Sequence, residues 1–296
     1  MPRRRPHMQT ANPILARIDR EAAARQTTGG PGFAYDEGRS AIAQAQMGAP
    51  ATATAAGYGT VPPTIAAGRA VTFADVMAKS GVLFVLAVLG AVVGWQLANT
   101  GLGVMVVFGS MIAALALGLT NAFKRQVSPP LVIAYALVSG VMLGAVSNWY
   151  NTLALANDYQ GLVLQAVIAT MTTFGVMLLL YGTGIVKVNN KFVKVMITAM
   201  SAYFVIALAS FVGAMFGVGG GWGFYGVGTF GLLLGLAGVL LAAFSLMLDF
   251  EAIKQGIAMG LPERESWRLS FGLLVTIVWL YLEILRFLAI IASGRE

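Results

Sequence analysis

The sequence predicts an all-α membrane protein, in which a long polar tail precedes a bundle of seven transmembrane helices. Of its 296 residues, 58% are hydrophobic and only 10% are charged, and the mean hydropathy is +0.78. This composition provides too little polar surface for a water-soluble protein of this size. After residue 76, uncharged runs recur at the roughly 20-residue length of a membrane span, and basic residues collect in alternate loops between them.

Residues 1–75 are expected to form a cytoplasmic, largely disordered tail, because Ala, Gly, Thr, Gln and Pro dominate them and no run is long enough to span. Ile14, Leu15 and Ile18 would share one face of a short helix, which is either a weakly structured part of the tail or a membrane-surface anchor. The basic start MPRRRP is not followed by an apolar core, so a signal peptide is not expected. Residues 76–296 would then form the membrane domain.

The seven predicted spans are separated by short connections. One uncharged stretch, from Val195 to Leu248, is too long for a single span, and the seven glycines from Gly217 to Gly228 are expected to interrupt it as a connector. In order, the predicted spans are Gly81–Ala98, Gly103–Phe123, Leu131–Tyr150, Leu162–Val186, Val195–Gly217, Gly228–Phe250 and Ser270–Ala292.

The distribution of lysine and arginine predicts the orientation, because cytoplasmic loops retain these residues. Seventeen of the nineteen basic residues lie in the tail and its junction with span one, or in the loops after spans two, four and six; the other three loops have none. We therefore expect a multi-pass protein of the cell membrane with its N-terminus inside and its C-terminus outside. This asymmetry explains the net charge of +7, so a nucleic-acid partner is not expected.

The sequence offers no residue set for enzyme catalysis. It has no cysteine and a single histidine, His7 in the tail, and it contains no HExxH, P-loop or Ser/His/Asp arrangement. Enzyme activity and a resident cofactor are therefore not expected.

Two acidic residues inside apolar spans, Asp249 and Glu283, form the candidate functional site. An ionisable group at the bilayer centre costs roughly 2.5–3.5 kcal/mol on insertion scales, so it usually has a partner or a function. Asp249 ends a stripe of small residues on span six and is expected to point into the bundle, because small residues let helices approach closely. The alternative is a solvated aspartate near the cytoplasmic boundary. The other members of this stripe are Gly231, Gly235, Gly238, Ala242 and Ser245.

Glu283 is expected to lie deeper than Asp249. About 20 Å of helix separates it from the inner end of span seven, so its side chain cannot easily reach the membrane surface. Arg286 follows three residues later, within range of an intrahelical ion pair. The alternative interpretation is a self-neutralised pair with a purely structural role. The difference in depth also opposes direct contact between Glu283 and Asp249.

Three segments resemble the Bax-inhibitor-like proteins, the transmembrane BAX inhibitor motif family. They are LMLDFEAIKQG around residues 247–256, WLYLEILRFLAIIA at 279–292, and ALVSGVMLGAVSNWY at 136–150. These segments resemble the last two spans and the third span of the family. The resemblance covers roughly residues 70 to 292, and the long tail, including ANPILARI, looks like a bacterial branch.

The resemblance implies six helices around a central seventh, and a pH-sensitive calcium leak controlled by a carboxylate pair from the last two spans. Here that pair would be Asp249 and Glu283, which would share a proton because two carboxylates in a low-dielectric site cannot both ionise cheaply. Arg125 or Lys124 would serve as a latch, a cation that holds the helices closed, and Arg286 is another candidate counter-ion. When ionised, the carboxylate oxygens would suit calcium. The chain departs from the family in lacking an acidic residue in span two and in having Glu at 283 where Asp is usual.

Three function hypotheses remain open for this protein of the lipid bilayer. The first is a pH-sensitive calcium or other cation leak channel or exchanger, indicated by the intramembrane acids, with protons and calcium as its ions. The second is a non-transporting regulator of a membrane partner such as a quality-control protease, favoured by the long tail. The third is a proton-coupled transporter of a small solute, favoured by the glycine-interrupted helices although inverted repeats are not evident.

Overall fold

A computed structural model describes residues 69–218, 223–226 and 228–293. Within these ranges the chain forms seven helices that are long and apolar enough to cross a membrane, which confirms the predicted fold class. The predicted tail lies almost entirely outside the described residues, as does part of the glycine-rich connector. The helices are α1 Phe73–Ala98, α2 Gly103–Phe123, α3 Pro129–Ala156, α4 Leu162–Gly182, α5 Asn190–Met215, α6 Thr229–Ala258 and α7 Ser266–Ser293, with 3-10 turns at Gly223–Tyr225 and Glu263–Glu265.

The helix limits differ from the predicted spans mainly at the end of the bundle where α1, α3, α5 and α7 begin, here called the basic side. Helix α1 begins before its predicted span because Thr72 and Asp75 form a capping box, in which each side chain accepts a hydrogen bond from the other residue's backbone amide. Helix α4 ends at Gly182, before the predicted Val186, because Gly184 turns the chain with a φ of +70°. Which side of the membrane the basic side faces stays a prediction.

Helix α7 is the central element of the bundle, as predicted. It packs against α1, α3, α4 and α6, and its buried residues include Leu273, Leu280 and Leu285. Helices α2 and α5 are peripheral, and large apolar side chains along both are exposed in the isolated protein. Those exposed faces are suited to lipid.

Helices α1 and α3 cross at two glycine pairs of the GxxxG type. A β carbon on Gly90 or Gly94 would overlap the backbone of α3, and one on Gly140 or Gly144 would overlap the backbone of α1. The spacing of four residues in each helix places both glycines on the contact face. This crossing holds α1 and α3 as a rigid pair beside α7.

The start of α1 is fastened to the connection between α6 and α7. The backbone amide of Val71 donates to the Leu261 carbonyl at 2.8 Å. The Lys79 ammonium contacts the Glu263 carboxylate at 3.3 Å and the Ser266 hydroxyl at 2.6 Å. These contacts fix the ends of α6 and α7 on the basic side, and with them the relative height of the two helices that carry the acidic residues.

Candidate functional site

Glu283 lies in the interior of the bundle with 6% of its surface exposed. Its Oε1 atom accepts hydrogen bonds from the Tyr203 hydroxyl on α5, at 2.7 Å, and from the indole Nε1 of Trp279, at 3.0 Å. Trp279 is one helical turn earlier on α7, so the spacing along the helix positions it. The indole can only donate, so Oε1 of Glu283 is the acceptor of both hydrogen bonds.

Arg286 is the counter-ion of Glu283. Its Nη2 atom lies 2.5 Å from Oε2 of Glu283 and also donates to the Tyr203 hydroxyl at 3.0 Å. The two charges therefore cancel within one turn of α7, and Tyr203 connects both of them to α5. We call Glu283, Arg286, Tyr203 and Trp279 the ionic cluster.

Gly238 on α6 makes room for the ionic cluster. A β carbon at this position would lie 2.6 Å from Oε2 of Glu283 and closer still to the Tyr203 hydroxyl. Contacts this short do not occur between stable neighbours, so a side chain here would displace one or both groups. The Tyr203 side chain can reach α7 only because Gly238, the residue of α6 that it passes, has no side chain.

Asp249 lies at a different level of the bundle. It faces Gly272 and Thr276 of α7: a β carbon on Gly272 would lie 3.7 Å from its Oδ1 atom, and the Thr276 side chain interacts with its carboxylate. Its Oδ2 atom is buried and has no hydrogen-bond partner among the described residues. A buried carboxylate oxygen without a donor is unfavourable when it carries charge.

The structure does not bring Asp249 and Glu283 together. Glu283 is level with Gly238, and Asp249 follows Gly238 by eleven residues on the same helix, which corresponds to about 16 Å at 1.5 Å per residue. From α7 the offset is the same, because Gly272 faces Asp249 and lies eleven residues before Glu283. In place of the expected carboxylate pair, the bundle has an ionic cluster and a separate single carboxylate.

Lys124 and Arg125 do not act as counter-ions to either acid in this structure. Both side chains are exposed at the end of α2, and their backbone carbonyls accept hydrogen bonds from Arg268 at 3.2 and 2.7 Å. Arg268 is held in turn by Glu265 at 3.3 Å. The tie between α2 and α7 therefore depends on Arg268, which the sequence had not singled out.

The comparison with known families decides the classification. The family model described as Bax inhibitor 1 like matches residues 12–293. The chain belongs to this family. None of the curated proteins compared with the chain matches it. Assignment to a bacterial branch of the Bax inhibitor 1 like proteins stays a prediction.

In this Bax inhibitor 1 like chain, the small-residue stripe of α6 receives side chains from both neighbouring helices. A β carbon on Gly235 would lie 3.2 Å from the ring of Phe287 on α7, and the Ser245 hydroxyl lies 3.6 Å from the sulfur of Met200 on α5. Gly231 and Ala242 are buried on the same stripe. The stripe therefore lies between α5 and α7, and Asp249 continues it toward the basic side.

The described residues do not provide a conventional metal site. They contain no group of three or more His, Cys, Asp or Glu side chains placed to hold an ion. The carboxylate pair that the family resemblance implies as a calcium site does not form in this structure. Glu283 is already neutralised by Arg286, and Asp249 is offset from it by about 16 Å along the helix axis.

The roles of three residues in the two sites were not predicted from the sequence. Trp279 could have been found from its spacing of four residues before Glu283. Thr276 shares a helix face with Glu283, but only the axial offset of α6 and α7 reveals that it opposes Asp249. Tyr203 gave no local signal, because its role depends on a contact across 80 residues of sequence.

Proposed function

We propose that this protein is a pH-sensitive cation leak or exchanger of a cell membrane, in which protonation of Asp249 controls opening. The observation that carries the proposal is the buried Oδ2 atom without a partner. None of the four ion pairs among the described residues includes Asp249. The protonated, neutral side chain therefore fits the packed helices better than the ionised one.

The direction of the pH response follows from this burial. Loss of the proton leaves a charge in an apolar setting without a counter-ion, and the structure can relieve it by admitting water or a cation. Opening is therefore favoured as the pH rises. The ionic cluster stays neutral as a unit, and its role is to hold α5 and α7 together around Gly238.

The test is a current measurement on the purified protein in a planar bilayer, from mildly acidic to mildly alkaline pH, with mixed monovalent and divalent cations. We expect conductance to rise with pH in the wild type and to stay low at every pH in Asp249→Asn, which mimics the protonated form. The matched control is Glu251→Gln. Glu251 is two residues later on another face of α6, where it accepts hydrogen bonds from Tyr181 and Gln255. A pH response that survives in Asp249→Asn contradicts the proposal.

A non-transporting regulator of a membrane partner, such as a quality-control protease, is the second candidate. It is favoured by cavities of about 410 and 220 Å³ among the described residues, which are lined mainly by apolar side chains and include neither Asp249 nor Glu283. Absence of conductance from folded wild-type protein at every pH would support this candidate against the first.

A further inference from the structure

We infer that the ion bound and moved at Asp249 is the proton, and that the wild-type chain does not carry calcium through this carboxylate. The inference rests on the proposed function and names its ion. It is drawn from charge balance, from the oxygen atoms within reach of Asp249, and from the position of the second acid.

Charge balance favours a singly charged ion. The residues of α7 that face Asp249, Gly272 and Thr276, are uncharged. A proton on the carboxylate gives a neutral site, whereas a divalent cation would leave an excess positive charge among apolar helices, where uncompensated charge is strongly disfavoured.

Three charged groups near this end of α6 already have partners among the described residues. Asp75 at the start of α1 pairs with Arg69, and Lys79 one turn later pairs with Glu263. On α6 itself, Glu251 bonds Tyr181. None of these groups is placed by a described contact to complete a divalent site with Asp249.

The oxygen ligands are too few for calcium. Calcium takes about 6–8 oxygen ligands, usually including more than one carboxylate. The site offers the two oxygens of Asp249 and the hydroxyl of Thr276, and that hydroxyl donates to the Gly272 carbonyl at 3.3 Å. A proton needs only one oxygen, and the unpartnered Oδ2 atom supplies it.

The distant position of Glu283 explains why Asp249 can balance only one positive charge. Glu283 is about 16 Å away along the bundle axis and is held by Arg286, Tyr203 and Trp279. The position on α7 that faces Asp249 is occupied by Thr276, a neutral residue.

In the transfer step, a hydronium ion gives its proton to Oδ2 of Asp249 and leaves as water. The reverse step returns the proton to water and restores the carboxylate.

The experiment uses the full-length protein in liposomes that contain either a pH-sensitive or a calcium-sensitive dye, with a potassium diffusion potential as the driving force. We expect potential-driven proton flux without calcium in the wild type and in Glu251→Gln. Flux should fall to the level of empty liposomes in Asp249→Asn, and wild-type calcium uptake should equal that of empty liposomes. Size-exclusion elution and vesicle incorporation check that each variant is folded.

A gain-of-function variant completes the test. Thr276→Asp places a second carboxylate opposite Asp249, and millimolar calcium should then slow its proton flux by about tenfold, a factor worth about 1.4 kcal/mol of binding. Thr276→Asn, which adds no charge, should remain insensitive to calcium.

Calcium uptake by the wild type that disappears in Asp249→Asn overturns the inference while leaving the proposed function intact. Absence of flux of either ion from folded wild-type protein overturns both. Equal calcium sensitivity in Thr276→Asp and the wild type also overturns the inference, because the site would then bind calcium without a second carboxylate.

Discussion

Removing Arg286 alone should destabilise the bundle more than removing both charges of its ion pair. Breaking a buried pair by deleting one partner costs about 3–5 kcal/mol, because it leaves a buried charge uncompensated. In Arg286→Met, Glu283 keeps its neutral donors Tyr203 and Trp279, so we expect a loss of about 3 kcal/mol. Glu283→Gln should cost a similar amount, because it leaves the guanidinium without its carboxylate.

The double variant, Glu283→Gln with Arg286→Met, contains no unpaired buried charge. It should lose only about 1–2 kcal/mol through weakened hydrogen bonds and packing. The summed single losses of about 6 kcal/mol should therefore exceed the double loss by about 4–5 kcal/mol, which is a strong coupling even for residues in direct contact.

The matched control is the pair Glu265–Arg268, which has the same residue types and the same spacing. Its side chains are 25% and 44% exposed and lie 3.3 Å apart, so its coupling should be only about 0–1 kcal/mol. The assay is reversible unfolding in mixed micelles followed by tryptophan fluorescence. Equal coupling energies for the buried and the exposed pair would refute the argument that burial makes Glu283 depend on Arg286.

Two further predictions concern the positions of the sites. Gly238→Ala should cost about 1–3 kcal/mol by overpacking, whereas Gly175→Ala on α4, where a β carbon meets open space, should be neutral or slightly stabilising in the same unfolding assay; equal losses would contradict the crowding at Gly238. In this cysteine-free chain, Asp249→Cys with Thr276→Cys should form a disulfide on mild oxidation, detected by mass spectrometry, and Asp249→Cys with Glu283→Cys should not. Efficient bonding of the second pair would contradict the offset between α6 and α7.

Much of the fold could be predicted from the sequence, because membrane spans depend on local hydropathy and on bilayer thickness. The predicted limits of α2 coincide with the observed helix, Gly103–Phe123. The start of α1 was predicted too late, at Gly81 instead of Phe73. Asp75 and Lys79 are charged, so they lie outside the uncharged run that defined the predicted span. A capping box and contacts to the α6–α7 connection stabilise those residues as helix.

The candidate site was only half predictable. The burial of Glu283 and its pairing with Arg286 follow from depth along one helix and from a spacing of three residues, which are properties of a continuous segment. The partner of Asp249 depends on the relative height of two helices. That height reflects the packing of the stripe containing Gly238 and the contacts that fasten the basic side.

The amino-acid sequence by itself determined that seven apolar helices cross a membrane and that two acids lie among them, since hydropathy and helical periodicity act over short segments. Only the tertiary structure decided that Tyr203 and Trp279 complete the environment of Glu283, and that Asp249 faces Thr276 instead of a second carboxylate. The physical reason is that hydrophobicity places a helix in the bilayer, whereas its axial offset and rotation are set by side-chain packing against its neighbours.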